Sequence, residues 1–286
     1  MKGTNFLAII TAYMLFLSFK PISVITDSYE DRPHFVIETR SAIYYYDKSG
    51  GGFSRIFDVD GNDWVNFNGD PKATYPSGAS GGFRGIPNLV FGSEDGGAGH
   101  PGFNKCISKL EGDNIIRTTS KSGKWEWTWT FYDNYAALTV IKADLDHKYW
   151  FLYEGLVAGS FNPGNKYWGT NLGGPYNATP SLNHGEYILG NWNWAYFGDF
   201  EYNRILFVAQ DKNDDLTDHF SYMGDSSDGV NSSDGMVVFG FGRDKGAKPL
   251  LTGTTNSFNI GFIDKKVVTA TDHEEVKAHI FNIFNK

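Results

Sequence analysis

The chain has 286 residues, of which 41% are hydrophobic and 20% charged, so it can bury a full core and is not a disordered tail. Its 25 Lys and Arg against 33 Asp and Glu give a formal net charge of -8 without a basic run, which excludes nucleic acid as the expected partner. The 23 Phe, 16 Tyr and 8 Trp residues, with 34 Gly and 10 Pro, favour short aromatic strands joined by tight turns.

The N-terminus has the pattern of a secretory leader. Lys2 precedes an apolar stretch over residues 6–19, which is shorter than the roughly 20 residues of a bilayer-spanning helix. We therefore predict a signal peptide over residues 1–26, processed between residues 20 and 27, and a secreted, periplasmic or cell-surface location. A retained anchor is the alternative. Contact with a membrane is expected only through this segment.

Beyond residue 34, short runs of strand-forming residues alternate with Gly or Asx turns. The runs cover residues 35–39, 42–46, 53–58, 64–67, 114–120, 124–132, 136–145, 149–155, 187–200, 204–210, 236–243 and 258–263. Alternation within residues 125–132 places four large aromatic side chains on one face: Trp125, Trp127, Trp129 and Phe131. This row predicts a sheet core, and a sugar-binding groove is the alternative.

A single helix is predicted at the C-terminus. Thr271 and Glu274 have the spacing of a capping box that opens residues 272–286. One apolar stripe follows, formed by Val276, Ile280, Ile283 and Phe284. Residues 27–286 are thus predicted to form one all-β domain, an antiparallel β-sandwich or supersandwich with this helix packed on it.

No motif for a cofactor or a metal is found. The GxSxG, HExxH, Walker and Rossmann patterns are missing, and the lone Cys106 excludes an intrachain disulfide and a CxxC metal site. The Asp-rich runs 211–218 and 225–235 could offer oxygen ligands to calcium, but neither has EF-hand spacing. Solvated loops are the preferred interpretation, and we predict no cofactor and no metal.

Two long irregular segments, residues 69–106 and 156–186, interrupt the strand pattern. Such segments in a compact domain are usually functional or disordered, and their aromatic and Arg content argues against disorder. We expect both segments to wall one cleft over the sheet. The side chains of Arg84, His100 and Trp168 are expected to meet in that cleft.

Arg84 and His100 are the residues in the first segment best suited to chemistry. An Arg beside Gly offers a planar fork of donors for a carboxylate or a pair of sugar hydroxyls. His100 lies between Gly99 and Pro101, a stiff setting for a proton-transfer group. The structural alternatives are an Arg that bridges loops and a His that caps a turn.

The same region carries a family resemblance. Residues 50–65, then 84–91 (RGIPNLVF), then 99–103 (GHPGF), resemble the first half of aldose 1-epimerase (galactose mutarotase-like) proteins. The resemblance covers residues 35–155. It implies a β-supersandwich of antiparallel sheets with a carbohydrate site on a concave face.

By that resemblance Arg84 falls on the family's substrate-binding Arg and His100 on its first active-site His, although Pro101 interrupts the His-Gly motif. The second half of the chain departs from the pattern. The epimerases place a general-base Glu on a late strand, but after Glu201 the only glutamates lie in the terminal helix. Residues 219–223 (HFSYM) are a candidate for the second His with its aromatic neighbour.

Other carbohydrate-active proteins use this sandwich without that Glu, and a polysaccharide lyase is the preferred hypothesis. β-Elimination at a uronate needs a group that neutralises the sugar carboxylate, a base and an acid. Arg84 could neutralise, and the base and acid candidates are His100, Lys166, Tyr167, His219 and Tyr222. Asn88 and Trp168 are candidates for binding a polysaccharide or oligosaccharide. A non-catalytic carbohydrate-binding module and a sugar epimerase are the alternatives.

Overall fold

Antiparallel strands dominate the computed structural model, which describes residues 21–67, 88–91, 99–178, 182, 186–212, 214–223 and 235–284. The first sheet is a meander of β1 (Ser23–Tyr29), β2 (Arg32–Glu38), β3 (Ala42–Asp47) and β4 (Gly52–Asp58). β1 begins inside the predicted leader, so processing after residue 26 would remove Ser23–Thr26 from this strand.

The largest sheet has nine strands. They are β6 (Cys106–Glu111), β7 (Ile115–Ser120), β8 (Glu126–Phe131), β9 (Tyr135–Lys142), β11 (Lys166–Thr170), β12 (Gly173–Asn177), β14 (Trp194–Asp199), β15 (Ile205–Gln210) and β20 (Ser257–Ile263). Their order across the sheet is β12, β11, β14, β15, β20, β9, β8, β7, β6. β12 and β6 are therefore its two edges.

A five-stranded sheet packs against this large sheet. Its strands are β5 (Asn88–Phe91), β10 (Tyr149–Gly155), β13 (Tyr187–Gly190), β16 (Asp218–Met223) and β17 (Met236–Phe241). They lie in the order β13, β16, β17, β10, β5. A short hairpin of β18 (Arg243–Asp244) and β19 (Lys248–Pro249) follows β17.

Aromatic side chains fill the space between the sheets. Phe151 of β10 stacks on Phe258 of β20, with ring centroids 4.5 Å apart. Phe91 of β5 stacks on Trp125, with 4.0 Å between centroids. These two contacts show that Phe151 and Phe91 face the nine-stranded sheet. Because side chains alternate between the faces of a strand, they also identify which other residues of the five-stranded sheet face the interior. The all-β antiparallel sandwich predicted from the sequence is confirmed.

The aromatic row formed by β8 and the residue before it belongs to this core. Trp125, Trp127, Trp129 and Phe131 are all fully buried. Trp129 meets Phe53 of the first sheet edge to face, with centroids 5.0 Å apart. The prediction of a sheet core is confirmed, and the row does not line a sugar groove.

The terminal helix, α1 (Ala270–Phe284), covers the other face of the nine-stranded sheet. Val276 and Ile280 are buried, as the apolar stripe predicted. The cap differs from the prediction: the Thr269 hydroxyl accepts from the Asp272 N–H and the Asp272 carboxylate accepts from the Thr269 N–H, which replaces the pair Thr271 and Glu274. Among the described residues, no helix has the length and apolar character needed to cross a membrane.

Both segments predicted as irregular contain strands. Residues 88–91 form β5, although glycine-rich sequence surrounds them, and residues 166–177 form the β11–β12 hairpin. The single strand predicted over residues 187–200 is two strands in different sheets, β13 and β14. A turn separates them, and its Trp192 N–H donates to the Asp218 carboxylate at 2.7 Å.

Candidate functional site

The structure separates the residues that were predicted to share a cleft. Arg84 lies outside the described residues. His100 packs beside the β3–β4 turn, next to the β6 edge of the nine-stranded sheet, whereas Trp168 is on β11 at its opposite end. The expectation of one cleft is therefore wrong for His100 and Trp168. Sequence spacing could not reveal this, because the two segments join strands at opposite edges.

His100 is buried in a turn with a stiff backbone. The Gly99 N–H donates to the Gly50 carbonyl at 2.9 Å, and the His100 ring meets Phe103 edge to face at 5.8 Å. Burial lowers the pKa of His100 to about 4, so its imidazole is neutral at pH 7. Its Nδ1 has no hydrogen-bond partner in the described part of the chain. Its role in proton transfer stays a prediction.

Three other candidates lie in the interior between the two large sheets. Lys166 and Asp199 form a buried ion pair, and Lys166 Nζ also donates to Ser160 Oγ at 3.0 Å. Burial lowers the pKa of Lys166. Tyr222 is buried against Phe220, and Trp168 packs on the same ring at 4.8 Å.

Tyr167 points away from this interior, because it is adjacent to Lys166 and Trp168 on β11. It is buried in the cluster beneath α1, and its hydroxyl accepts from the Val267 N–H at 3.0 Å. Burial raises the pKa of Tyr167 to about 12. The sequence analysis placed Lys166 and Tyr167 together in one irregular segment. In the structure they are consecutive residues of a strand, so their side chains point to opposite faces of the sheet.

The outer face of the five-stranded sheet, defined as the face turned away from the nine-stranded sheet, holds a different set of polar residues. One cross-strand row runs through five paired positions: Leu189, His219, Gly240, Leu152 and Asn88. Cross-strand partners share a face, so the predicted residues His219 and Asn88 belong to one row. The Asn88 side chain is not among those described.

Arg243 lies on this outer face, above Gly240. A Cβ at Gly240 would come within 2.9 Å of Arg243 Cδ, so only glycine leaves room for the side chain. The guanidinium is 5.8 Å from the centre of the Trp150 ring. Its Nε and Nη1 atoms are buried, and neither has a hydrogen-bond partner among the described residues. Burial lowers the pKa of Arg243, although arginine stays charged at any physiological pH.

His219 lies beside Arg243 and is stacked on the ring of Tyr187, with centroids 5.1 Å apart. Burial and then the charge of Arg243 lower the pKa of His219 to about 4. The imidazole is therefore neutral at pH 7 and can accept a proton. His219 Nδ1 is buried without a hydrogen-bond partner in the part of the chain that the structure describes.

Glu154 brings a carboxylate to the same face. Its neighbours Tyr153 and Gly155 pair with β17, and the Tyr153 side chain is in the core, so Glu154 points outward. Its negative charge raises the pKa of Arg243 against the effect of burial. A cation, a neutral imidazole and a carboxylate thus share one face, although they are far apart in sequence.

Asp218 holds two backbone segments next to Arg243 and His219. Its carboxylate accepts from the Trp192 N–H at 2.7 Å and from the Gly242 N–H at 2.8 Å. Gly242 has a φ of 63°, the left-handed conformation that favours glycine. Asp218 therefore holds the turn that carries Arg243. Its own pKa is raised to about 8 by burial.

Sequence reasoning missed Arg243 and Glu154, although weak signals existed. Glycines at alternate positions, Gly240 and Gly242, indicate a close approach of another group to a strand. Over residues 149–155, the alternation of side chains also places Glu154 on the face opposite to the buried aromatic residues.

Among the described residues, no group of His, Cys, Asp and Glu side chains is arranged to hold a metal ion.

Comparisons with known proteins identify the fold. No protein-family model and no curated protein matches the chain. Among solved structures it is similar to HI1317, at 10% identity and a TM-score of 0.52, over 85% of this chain and 100% of that chain. It is also similar to the proposed mutarotase YeaD from Salmonella typhimurium, at 11% identity and a TM-score of 0.49, over 85% of this chain and 94% of that chain.

A third similar structure is a mutant of heparan sulfate lyase HepC from Pedobacter heparinus, at 12% identity and a TM-score of 0.47, over 93% of this chain and 38% of that chain. Identities this low show a shared fold and carry no activity with them. The similarity to HI1317 shows that the two chains share a fold, the antiparallel β-sandwich that the sequence predicted.

Proposed function

We propose that the outer face binds an acidic glycan and cleaves it by β-elimination at a uronate residue, in a protein that acts outside the cytoplasm. The observation that carries this proposal is the buried Arg243 guanidinium next to a neutral His219, with two donor atoms that have no hydrogen-bond partner in the described part of the chain. Buried polar groups are nearly always paired, so unpaired donors indicate a missing partner. A sugar carboxylate has the charge and the planar shape that fit a guanidinium.

The chemistry needs few groups. Arg243 holds the carboxylate and stabilises the extra charge that gathers on it as the C5 proton leaves. His219 takes that proton, and the C5–H electron pair becomes the C4–C5 double bond. The bond from C4 to the glycosidic oxygen breaks, and this oxygen takes a proton from the imidazolium or from water. Burial of the Arg243 donor atoms and of His219 strengthens these electrostatic contacts.

Sugar epimerisation is a second candidate, and Glu154 favours it. The sequence alone offered no late-strand glutamate as base, but Glu154 on β10 shares the outer face with His219. A carboxylate base and an imidazole acid could open and close a pyranose ring. An epimerase changes the optical rotation of a free sugar, whereas a lyase releases unsaturated ends that absorb ultraviolet light.

The proposal is tested with alginate, polygalacturonate, hyaluronan and heparan sulfate, measuring both binding and ultraviolet-absorbing ends. Arg243→Ala is expected to weaken binding about 10- to 100-fold, because it removes charge-assisted hydrogen bonds to the carboxylate. Arg243→Lys should restore only part of the affinity, since a point charge cannot replace the planar fork. The melting temperature of each variant is measured alongside, because Arg243→Ala also removes the attraction between the guanidinium and Glu154 and its contact with the Trp150 ring.

Arg117→Ala is the matched control, since Arg117 is paired with Glu111 and Glu126 on the nine-stranded sheet. It should bind like the wild type. Equal binding by Arg243→Ala and the wild type would refute the proposed site. Tight binding by the wild type without unsaturated ends from any of the four polymers would favour a non-catalytic binding module.

A further inference from the structure

A pocket of about 440 Å³ opens between the edge strands of the two large sheets. It is lined by Trp168, Pro175, Tyr176, Asn177, Leu182 and Ile188. Pro175, Tyr176 and Asn177 belong to β12, and Ile188 belongs to β13. Its volume is within the range of about 300–1,000 Å³ that small-molecule sites occupy.

The lining has the composition that recognises a pyranose. Tyr176 and Trp168 are 4.9 Å apart between ring centroids, and Tyr176 is 46% exposed. Aromatic faces take the C–H face of a sugar, and an amide such as that of Asn177 can bond to its hydroxyls. Trp168 is 9% exposed, and its Nε1 donor has no hydrogen-bond partner among the described residues.

The pocket adjoins the outer face across a single strand. Tyr187, which stacks on His219, and Ile188, which lines the pocket, are consecutive residues of β13. Consecutive Cα atoms are about 3.8 Å apart, and their side chains point to opposite faces. A glycan chain that leaves the outer face over this edge strand therefore reaches the pocket directly.

We propose that this pocket is a second sugar subsite, which binds a residue of the same glycan chain some units away from the one held by Arg243. The inference rests on the proposed function, because its occupant is a further part of that substrate. The subsite would make affinity depend on chain length, since only a glycan long enough to cross β13 could fill both positions.

The experiment compares disaccharides and octasaccharides of the four uronate polymers, with dissociation constants from calorimetry. Wild-type protein should bind the octasaccharide at least tenfold more tightly than the disaccharide. Tyr176→Ala should lose about 5- to 50-fold in affinity for the octasaccharide, the range that loss of one stacking aromatic gives, with less than a twofold change for the disaccharide. Tyr176→Phe should behave like the wild type, because it keeps the aromatic face and the fold.

Tyr132→Ala is the matched control: Tyr132 is 41% exposed and stacks on Tyr135, away from the pocket. It should leave both affinities unchanged. If Arg243→Ala weakens octasaccharide binding and Tyr176→Ala does not, the subsite is refuted and the proposed function stands. If the wild type binds none of the octasaccharides, both proposals fall together.

Discussion

Replacing His219 by glutamine is expected to lower the turnover of uronate polymer by about 100-fold or more, because glutamine cannot accept the C5 proton. The affinity should change little, since Arg243 still holds the carboxylate. The wild-type rate should fall as the pH drops below about 4, because burial lowers the pKa of His219 to about 4 and the protonated ring is no base. Steady-state kinetics across pH 3 to 8, by ultraviolet absorbance, measure both effects.

Two other histidines serve as comparisons. His147 is paired with Asp144 at 2.8 Å near the surface, and His147→Gln should keep full activity. His100→Gln tests the candidate that the sequence favoured. If His219→Gln stays folded and active while His100→Gln is inactive, the base is His100 and the assignment to the outer face is wrong.

Replacing Lys166 by methionine is expected to destabilise the fold by about 3–5 kcal/mol, because it leaves the Asp199 carboxylate buried without its cation. The Lys166 side chain is 1% exposed and that of Asp199 is 4% exposed. Urea unfolding gives the change in the free energy of unfolding. At temperatures where the variant is folded, it should keep wild-type activity, since Lys166 lies between the sheets and not on the outer face.

The double variant Lys166→Met/Asp199→Asn is the control for this interpretation. It removes both charges and keeps an acceptor for the Glu201 N–H, which bonds to Asp199 at 2.7 Å. Most of the lost stability should return. A folded Lys166→Met protein without activity would instead make Lys166 part of the catalytic machinery, as the sequence suggested.

The fold was predictable where local pattern and burial agree. Alternation in β8 predicts its buried aromatic row, and the stripe through Val276 and Ile280 predicts the packed face of α1. The β11–β12 hairpin was missed because its Gly, Pro and Asn content is typical of loops, and β5 because four residues between glycine-rich segments give little periodicity. In both places, pairing with a neighbouring strand outweighs local propensity.

The candidate site was predictable only in part. His219 was singled out from its aromatic neighbours and Asn88 as a candidate for binding sugar, but nothing local joins the two residues. Their shared row depends on the order of β13, β16, β17, β10 and β5, which brings distant segments side by side. Arg243 and Glu154 reach the same face through strand register, which a single sequence does not reveal.

The most direct test of the outer-face site is an NMR titration of the eight tryptophan indole N–H signals. The folded His219→Gln variant is titrated with the octasaccharide that the wild type cleaves, and the signals are assigned by Trp→Phe substitution. The Trp150 signal should shift, since its ring lies beside the Arg243 guanidinium, whereas those of the core residues Trp125 and Trp129 should stay fixed. Saturable binding that leaves the Trp150 signal unmoved would place the glycan elsewhere and contradict the assignment.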